Sequence, residues 1–254
     1  MVELLLILAI VGICLFVFML REAFRNYVKE EEISFLNFPG DVAPLKIFFI
    51  SDIHKREISQ KIIDYVKGKA KIVIIGGDLL EKDVPFDRVG KNLDMLLEIA
   101  PVYFVWGNND YEVDVDCLKN LFREKGVIEL VNNSFVLASG KEKSVNLIGV
   151  DDASANRSYL SQAIEHSTPT DFNILISHNP RMVKEIKQED GIDFVISGHT
   201  HGGQIRLFGW GLYKKGSLER KSETTLLVSN GYGTTALPLR LGARAETHLI
   251  TIGK

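Results

Sequence analysis

Seven side chains able to bind a metal or move a proton stand out because each follows an apolar run: Asp52, His54, Asp78, Asn108, His178, His199 and His201. Aspartate, histidine and asparagine offer oxygen and nitrogen donors that suit Mn, Fe, Zn and similar divalent ions, and do not suit copper(I) or iron–sulfur clusters. One open metal site needs fewer donors than this. Two sites that share a bridging carboxylate need about this many, with the ions ~3.5–4 Å apart, an arrangement that serves in-line displacement at phosphorus. Four of the six histidines fall in the set, leaving His166 and His248 outside it. Asp52 and His54 are two positions apart, as are His199 and His201, so an extended segment is expected to present both members of each pair on one side. Gly76, Gly77, Gly107, Gly198, Gly202 and Gly203 stand beside them and allow close backbone approach.

The elements that must position these residues are read from hydrophobic periodicity. Strands are expected at Lys46–Ile50, Ile72–Ile75 and Val102–Trp106, with helices at Ile58–Lys67, Phe86–Ile99 and Val115–Lys125. Further strands are expected at Ser134–Ala138, Val145–Val150, Asn173–Ser177 and Phe194–Ser197, with helices near Ser158–His166 and Met182–Gln188. The last stretch reads as strands at Gln204–Phe208, Thr224–Ser229 and Glu246–Ile252. This pattern defines a mixed α/β domain whose sheets are covered by helices. All seven candidate ligands then lie just past the carboxyl ends of strands, the edge where open α/β sheets bind ligands.

Before this domain, Leu4–Leu20 is an unbroken apolar run, at the short end of the ~17–25 residues that cross a bilayer. It is apolar all round, unlike an amphipathic core helix, and it lacks the basic start and small-residue cleavage site of a signal peptide. The run is therefore read as an uncleaved anchor over 1–24. Arg21 to Asn37 is expected to continue as a helix and a charged linker, 25–43, before a domain over 44–254. Arg21, Arg25 and Lys29 follow the run and no basic residue precedes it, so the positive-inside rule favours a cytoplasmic domain over an exported one. With 46% hydrophobic and 25% charged residues the chain is an ordinary folded protein rather than a disordered one. Two cysteines, Cys14 in the apolar run and Cys117 in an expected core position, provide no disulfide framework. A net charge of −3 gives no general reason to expect a nucleic acid partner.

The ordered blocks SDIH at 51–54, GGD at 76–78, GNND at 107–110, SHNP at 177–180 and SGHTHGGQ at 197–204 resemble the signature of the calcineurin-like metallophosphoesterases. The resemblance covers about residues 44–254. With GLY at 211–213, LLVSNGYG at 226–233 and LPLRLGARAE at 237–246, the chain is similar to the membrane-anchored, YkuE/YaeI-like phosphohydrolase branch. The resemblance implies a four-layer αββα sandwich with two divalent metal ions at the strand ends. By motif, Asp52, His54 and His201 would hold the first ion, Asp78 would bridge, and Asn108, His178 and His199 would hold the second. The two cations would make hydroxide available at neutral pH and take up charge on the phosphoryl oxygens.

One position departs from the family pattern. Asn109 stands where the family usually has a histidine acting near the leaving group, and an amide donates a hydrogen bond without protonating an alkoxide. The expected substrates are phosphodiesters or pyrophosphates whose leaving groups need no proton, in a membrane-associated lipid or nucleotide sugar. The nucleotide-linked acyl sugar of lipid A synthesis, UDP-2,3-diacylglucosamine, is the branch's best-known case. The rivals are a general phosphodiesterase or phosphatase of soluble substrates, and a metal-binding scaffold. Asp110 is expected to orient Asn109 or a ligand. Softer candidates are the loop Phe208–Tyr213 with Lys214, Lys215, Arg220 and Lys221, read either as a lipid contact or as a core-packing hairpin. Lys55 and Arg56 are expected in solvent rather than on a phosphate, Arg240 on a phosphate or in an ion pair, and Asp151 and Asp152 in the pocket or in a turn.

Overall fold

The computed structural model describes residues 1–221 and 224–254. Two six-stranded sheets face each other. The first has the order β1 (Val28–Ser34), β12 (Thr247–Gly253), β2 (Leu45–Ile50), β3 (Ile72–Gly76), β4 (Val102–Val105), β5 (Ile128–Glu129). The second runs β10 (Ser217–Arg220), β11 (Thr225–Val228), β9 (Ile192–Ser197), β8 (Phe172–Ile176), β7 (Ser144–Gly149), β6 (Asn133–Ser139). Strands β2 to β5 are mutually parallel, as are β7, β8, β9 and β11. Their carboxyl ends carry all seven candidate ligands, as the strand-end reading expects.

Side-chain alternation builds the layers. Ile47 and Phe49 of β2, Ile74 of β3, Ile174 of β8 and Ile196 of β9 form the core between the sheets. Phe48, Ile50, Val73 and Phe104 point outward against α2 (Gln60–Val66), α3 (Phe86–Leu97) and α4 (Val115–Lys125) through Ile63, Leu93 and Phe122. On the other side Ile148, Leu175 and Val195 meet Ala163 of α5 (Leu160–Ala163) and Met182. Strands buried on both faces read as continuous apolar runs, which is why the central ones were legible. The architecture is the expected αββα sandwich, preceded by one apolar helix, α1 (Val2–Ala23), long and apolar enough to cross a membrane. Its 22 residues span about 33 Å.

Several elements differ from expectation. The expected helical continuation over Arg21–Asn37 ends at Ala23, and Val28–Ser34 is instead strand β1, paired in parallel with β12 from Val28↔Thr247 to Ser34↔Gly253. A sheet edge buries few of a strand's side chains, so the charged sequence VKEEEIS pairs there with only Ile33 buried. The helix expected near Ser158–His166 shrinks to α5, and that near Met182–Gln188 to 3₁₀ turns at Pro180–Lys184 and Gln188–Asp190. Gln204–Phe208 joins no sheet and makes only isolated bridges, Ile205 to Leu241 and Gly242 and Leu207 to Trp210. Strand β10 was not anticipated. Cys117 is exposed rather than in the core, because α4 turns Leu118 and Phe122 inward.

Candidate metal centre

Loops leaving five parallel strands bring the candidate ligands together as two groups. Asp52, His54 and His201 form one and Asp78, His178 and His199 the other, the donor atoms within each lying within 4.8 Å of one another. Asn108 lines the same cavity, and its Oδ1 is buried without a hydrogen-bond partner. The Asp52–His54 and His199–His201 segments are not extended. Asp52, His54, Asp78, His199 and His201 all adopt positive φ, between 49° and 70°, a conformation costing about 1–3 kcal/mol each for residues with a Cβ. His199 and His201 consequently serve different groups instead of sharing one side.

Hydrogen bonds set the ring tautomers. His178 Nδ1 donates to the Gly76 carbonyl at 2.8 Å, so its Nε2 faces His199 Nδ1 at 3.0 Å and Asp78 Oδ2 at 3.3 Å. His54 Nδ1 lies 3.0 Å from the Glu81 carboxylate, which turns its Nε2 toward His201 Nε2 at 3.1 Å. Asp78 Oδ1 accepts the Asn109 N–H at 2.8 Å, and Oδ2 lies between the groups, 3.8 Å from His54 Nε2. Carboxylate and carbonyl partners behind ligating histidines are the usual support of metal sites. Glu81 was not anticipated, although it stands three residues after Asp78 in GGDLLE.

The donor set fits divalent cations. Burial favours neutral His54 and His178, yet the surrounding carboxylates outweigh it. Glu81, Asp78 and Asp52 raise His54, and Asp78 raises His178 to about 10. Burial would also raise Asp78, but His178 and His54 hold it well below the usual carboxylate range. The cluster thus demands positive charge at its centre. His201 is driven down to about 3 chiefly by burial, so its ring stays neutral, with Nδ1 3.1 Å from Arg240 Nη2. Close backbone approach completes the cradle: a Cβ at Gly77, where φ is +82°, would sit 2.5 Å from His178 Nδ1, and one at Gly231 2.7 Å from Asp52 Oδ2.

Asp110 supports the ligands from behind. It is fully buried and accepts the amides of Asp78, Leu79 and Gly107, each at 2.8 Å. Asn109 instead reaches Asn108 and Glu112. Arg240 is not a phosphate ligand or an ion-pair partner. It is fully buried, and its Nη2 hydrogens are taken by the carbonyls of Asn230 at 2.7 Å and Gly233 at 2.6 Å, with Nη1 on Ala243 at 2.9 Å. It locks the 230–243 loop beneath His201. Arg56 is likewise not in solvent: its guanidinium stacks 3.6 Å over Tyr232 and donates to the carbonyls of Tyr232, Ala23, Phe24 and Arg25. Lys55 is exposed and paired with Glu81 at 2.7 Å. Asp151 accepts from Tyr111 and Asp152 caps the turn at 153–155, both in turn roles. His248 is buried on β12 and His166 is exposed, and neither lines the cavity.

The cavity over the two groups measures about 460 Å³. Its floor is polar and its wall apolar, formed by Ile205, Leu212, Tyr213, Ala236 and Leu237. Outside the two metal groups, Tyr213 is the only titratable side chain among the described lining residues. The expected basic stripe is divided: Lys214 and Lys215 flank the cavity loop, while Arg220 lies at the far end of β10, donating to the Ser34 carbonyl.

This fold and paired donor set define a metal-dependent phosphoesterase. Residues 45–203 match the calcineurin-like phosphoesterase family, and the chain belongs to it. It is 46% identical to YpbG of Bacillus subtilis, over 82% of this chain and 81% of that protein. It is 28% identical to the phosphodiesterase YaeI of Escherichia coli, over 85% and 84%. A transmembrane protein with a metallophosphoesterase domain from Bos taurus is 30% identical over 96% of this chain and 60% of its own length.

Proposed function

We propose that the protein hydrolyses phosphodiester or pyrophosphate bonds whose leaving groups need no proton, in a membrane-associated lipid or nucleotide-sugar substrate. The observation that carries this reading is Asn109 at the cavity, with no acid among the described lining residues outside the metal groups except the weakly acidic Tyr213. A phosphate or aryl oxide departs without general-acid help, whereas an alkoxide needs it. Asp52, His54, Asp78 and His201 would hold one ion, and Asp78, Asn108, His178 and His199 the other, Asp78 shared between them. The cations would supply hydroxide at neutral pH and charge neutralisation at phosphorus. Asn109, its side chain held by Asn108 and Glu112, would donate a hydrogen bond to a phosphoryl oxygen. The apolar wall suits a substrate with an acyl or nucleoside portion, and the phosphodiesterase YaeI supports diester chemistry. UDP-2,3-diacylglucosamine is one member of this class, which nothing in the site singles out.

The apolar helix α1 would hold the enzyme to the membrane by a single pass, a reading supported by the transmembrane relative. Counting basic residues puts the catalytic domain on the cytoplasmic side. The test is hydrolysis by the full chain in detergent with Mn, comparing bis-p-nitrophenyl phosphate, a nucleotide diphospho-sugar and glycerol phosphate. Cleavage of the first two well above the third, lost in Asp78→Asn, supports the reading. Fast turnover of the alkyl monoester would overturn it.

A further inference from the structure

The rim of the cavity displays Leu207, Phe208, Trp210, Leu212 and Leu237 with 60%, 101%, 84%, 86% and 57% of their surface exposed. A core-packing hairpin is thereby excluded. This display is held in place rather than loose: Leu207 and Trp210 exchange backbone hydrogen bonds at 2.9 Å, and the Arg206 guanidinium gathers the carbonyls of Gly202, Gly209 and Tyr213. Phe208 and Gly209 at the tip both have positive φ, +51° and +87°. Such a two-residue turn normally takes Asn-Gly or Asp-Gly. Phenylalanine here opposes both backbone preference and contact with water.

The rim stands beside the end of α1. Arg206 N–H donates to Leu241 O at 2.8 Å, Leu241 N–H to Gln204 O at 2.9 Å, and Arg240 N–H to Met19 O at 3.1 Å. Three backbone hydrogen bonds therefore tie the loop to the last apolar turn of the helix. Arg21 and Arg25 follow that turn, and Lys214 and Lys215 follow the loop, where lipid headgroups would lie.

We propose that the 207–212 loop and Leu237 are inserted in the surface of the bilayer that α1 crosses, so that the cavity opens at the lipid surface. Apolar area, an indole at the boundary and adjacent lysines are the features by which a protein rests on a membrane. Leu212 and Leu237 belong both to this rim and to the cavity wall, so an amphiphile's phosphate reaches the metal groups while its chains stay in lipid. The inference rests on the anchoring proposed for α1, and the experiment separates the two.

Trp210 is the reporter, because the other tryptophan, Trp106, is fully buried. The full chain is reconstituted in phosphatidylethanolamine–phosphatidylglycerol vesicles and floated on a density gradient at high salt. Its emission is then measured with lipids brominated near the headgroup or deep in the chain, and with aqueous iodide, Trp210→Phe defining the Trp210 component. The expected result is flotation, a blue-shifted Trp210 emission, and loss of most of it to the shallow bromines but little to iodide. Flotation with an unshifted, iodide-quenched Trp210 overturns the loop contact while leaving the anchor intact. Shielding from both quenchers means that protein covers the loop and also overturns it. A chain that does not float removes the anchor and the inference together.

Discussion

The Asp110 carboxylate accepts the amide of Asp78 at 2.8 Å from behind, while the Asp78 carboxylate faces both metal groups. With the amides of Leu79 and Gly107 also on Asp110, the turn carrying the shared ligand and the turn carrying Asn108 are held by one buried carboxyl group. Asp110→Asn puts an amide N–H₂ among donors and leaves at least one of them unsatisfied. We expect Mn affinity and kcat to fall by about 10- to 100-fold, as for other partners behind metal ligands. Calorimetric titration with Mn and a thermal melt check this, and an unchanged affinity would show that Asp110 only fills space.

Asn109→His restores a titratable group at the leaving-group side, with Glu112, now 3.1 Å from the Asn109 amide, available to orient it. General-acid catalysis contributes about 10²–10⁴-fold where the leaving group needs a proton. Hydrolysis of glycerol phosphate should rise by about 10-fold or more, with bis-p-nitrophenyl phosphate changed only a few-fold. Equal changes for both substrates would refute the leaving-group argument.

The ligands were legible because each is a polar residue ending an apolar strand, and the order of the motifs fixed which belong together. Their backbone was not. Side-chain types at a two-residue spacing say nothing about positive φ, which the tertiary hydrogen bonds of Asp52 with Gly77 and Ile53 with Asp78 impose. Strand β1 was hidden by charge that an edge tolerates. Arg56 and Arg240 resemble surface or phosphate-binding cations in sequence, and only the converging carbonyls from distant segments make them clamps.

Arg240 gives that distinction a measurable form. Arg240→Lys keeps the charge but cannot span carbonyls at Gly233, Asn230 and Ala243 together. Hydrogen bonds from charged donors are worth about 1.5–3 kcal/mol each, so a net loss of about 3 kcal/mol is expected. For a domain of this size that lowers Tm by about 6–12 °C. KM for the diester should stay within a few-fold when measured well below Tm. A large rise in KM without loss of stability would instead make Arg240 a substrate ligand.

The amino-terminal boundary follows from β1. A chain begun at Ile33 loses most of the strand that pairs with β12 and leaves β12 as an open edge flanked by buried Ile250 and Ile252. Such an edge aggregates. A chain begun at Arg21 keeps β1 and the bond from Ala245 N–H to Glu22 O at 3.2 Å. Size-exclusion chromatography in detergent-free buffer should show the shorter chain aggregated or unfolded and the longer one as a discrete species. Equal behaviour would mean that β1 is dispensable.

His248 sets an acid limit on stability that is separate from the metal site. It is buried on β12, its Nε2 3.0 Å from Ser229 Oγ, while Glu246 and Glu31 stand 3.7 and 3.9 Å away, beyond hydrogen-bond reach. Burial, with Lys29 adding, lowers its pKa from 6.5 to about 3. Between these values the unfolded chain binds a proton that the native chain refuses. The stabilisation is therefore complete above pH 6.5 and is lost progressively as the pH falls toward 3. Glu246, raised chiefly by burial, works in the opposite sense below neutrality, since its native form takes up a proton before the unfolded form does. His248→Gln keeps a polar partner for Ser229 and removes the titration. Urea unfolding of the metal-free protein at stepped pH should show a shallower decline for this variant as the pH falls from 6.5 toward about 3. Identical slopes would show that His248 is protonated in the native protein despite its burial.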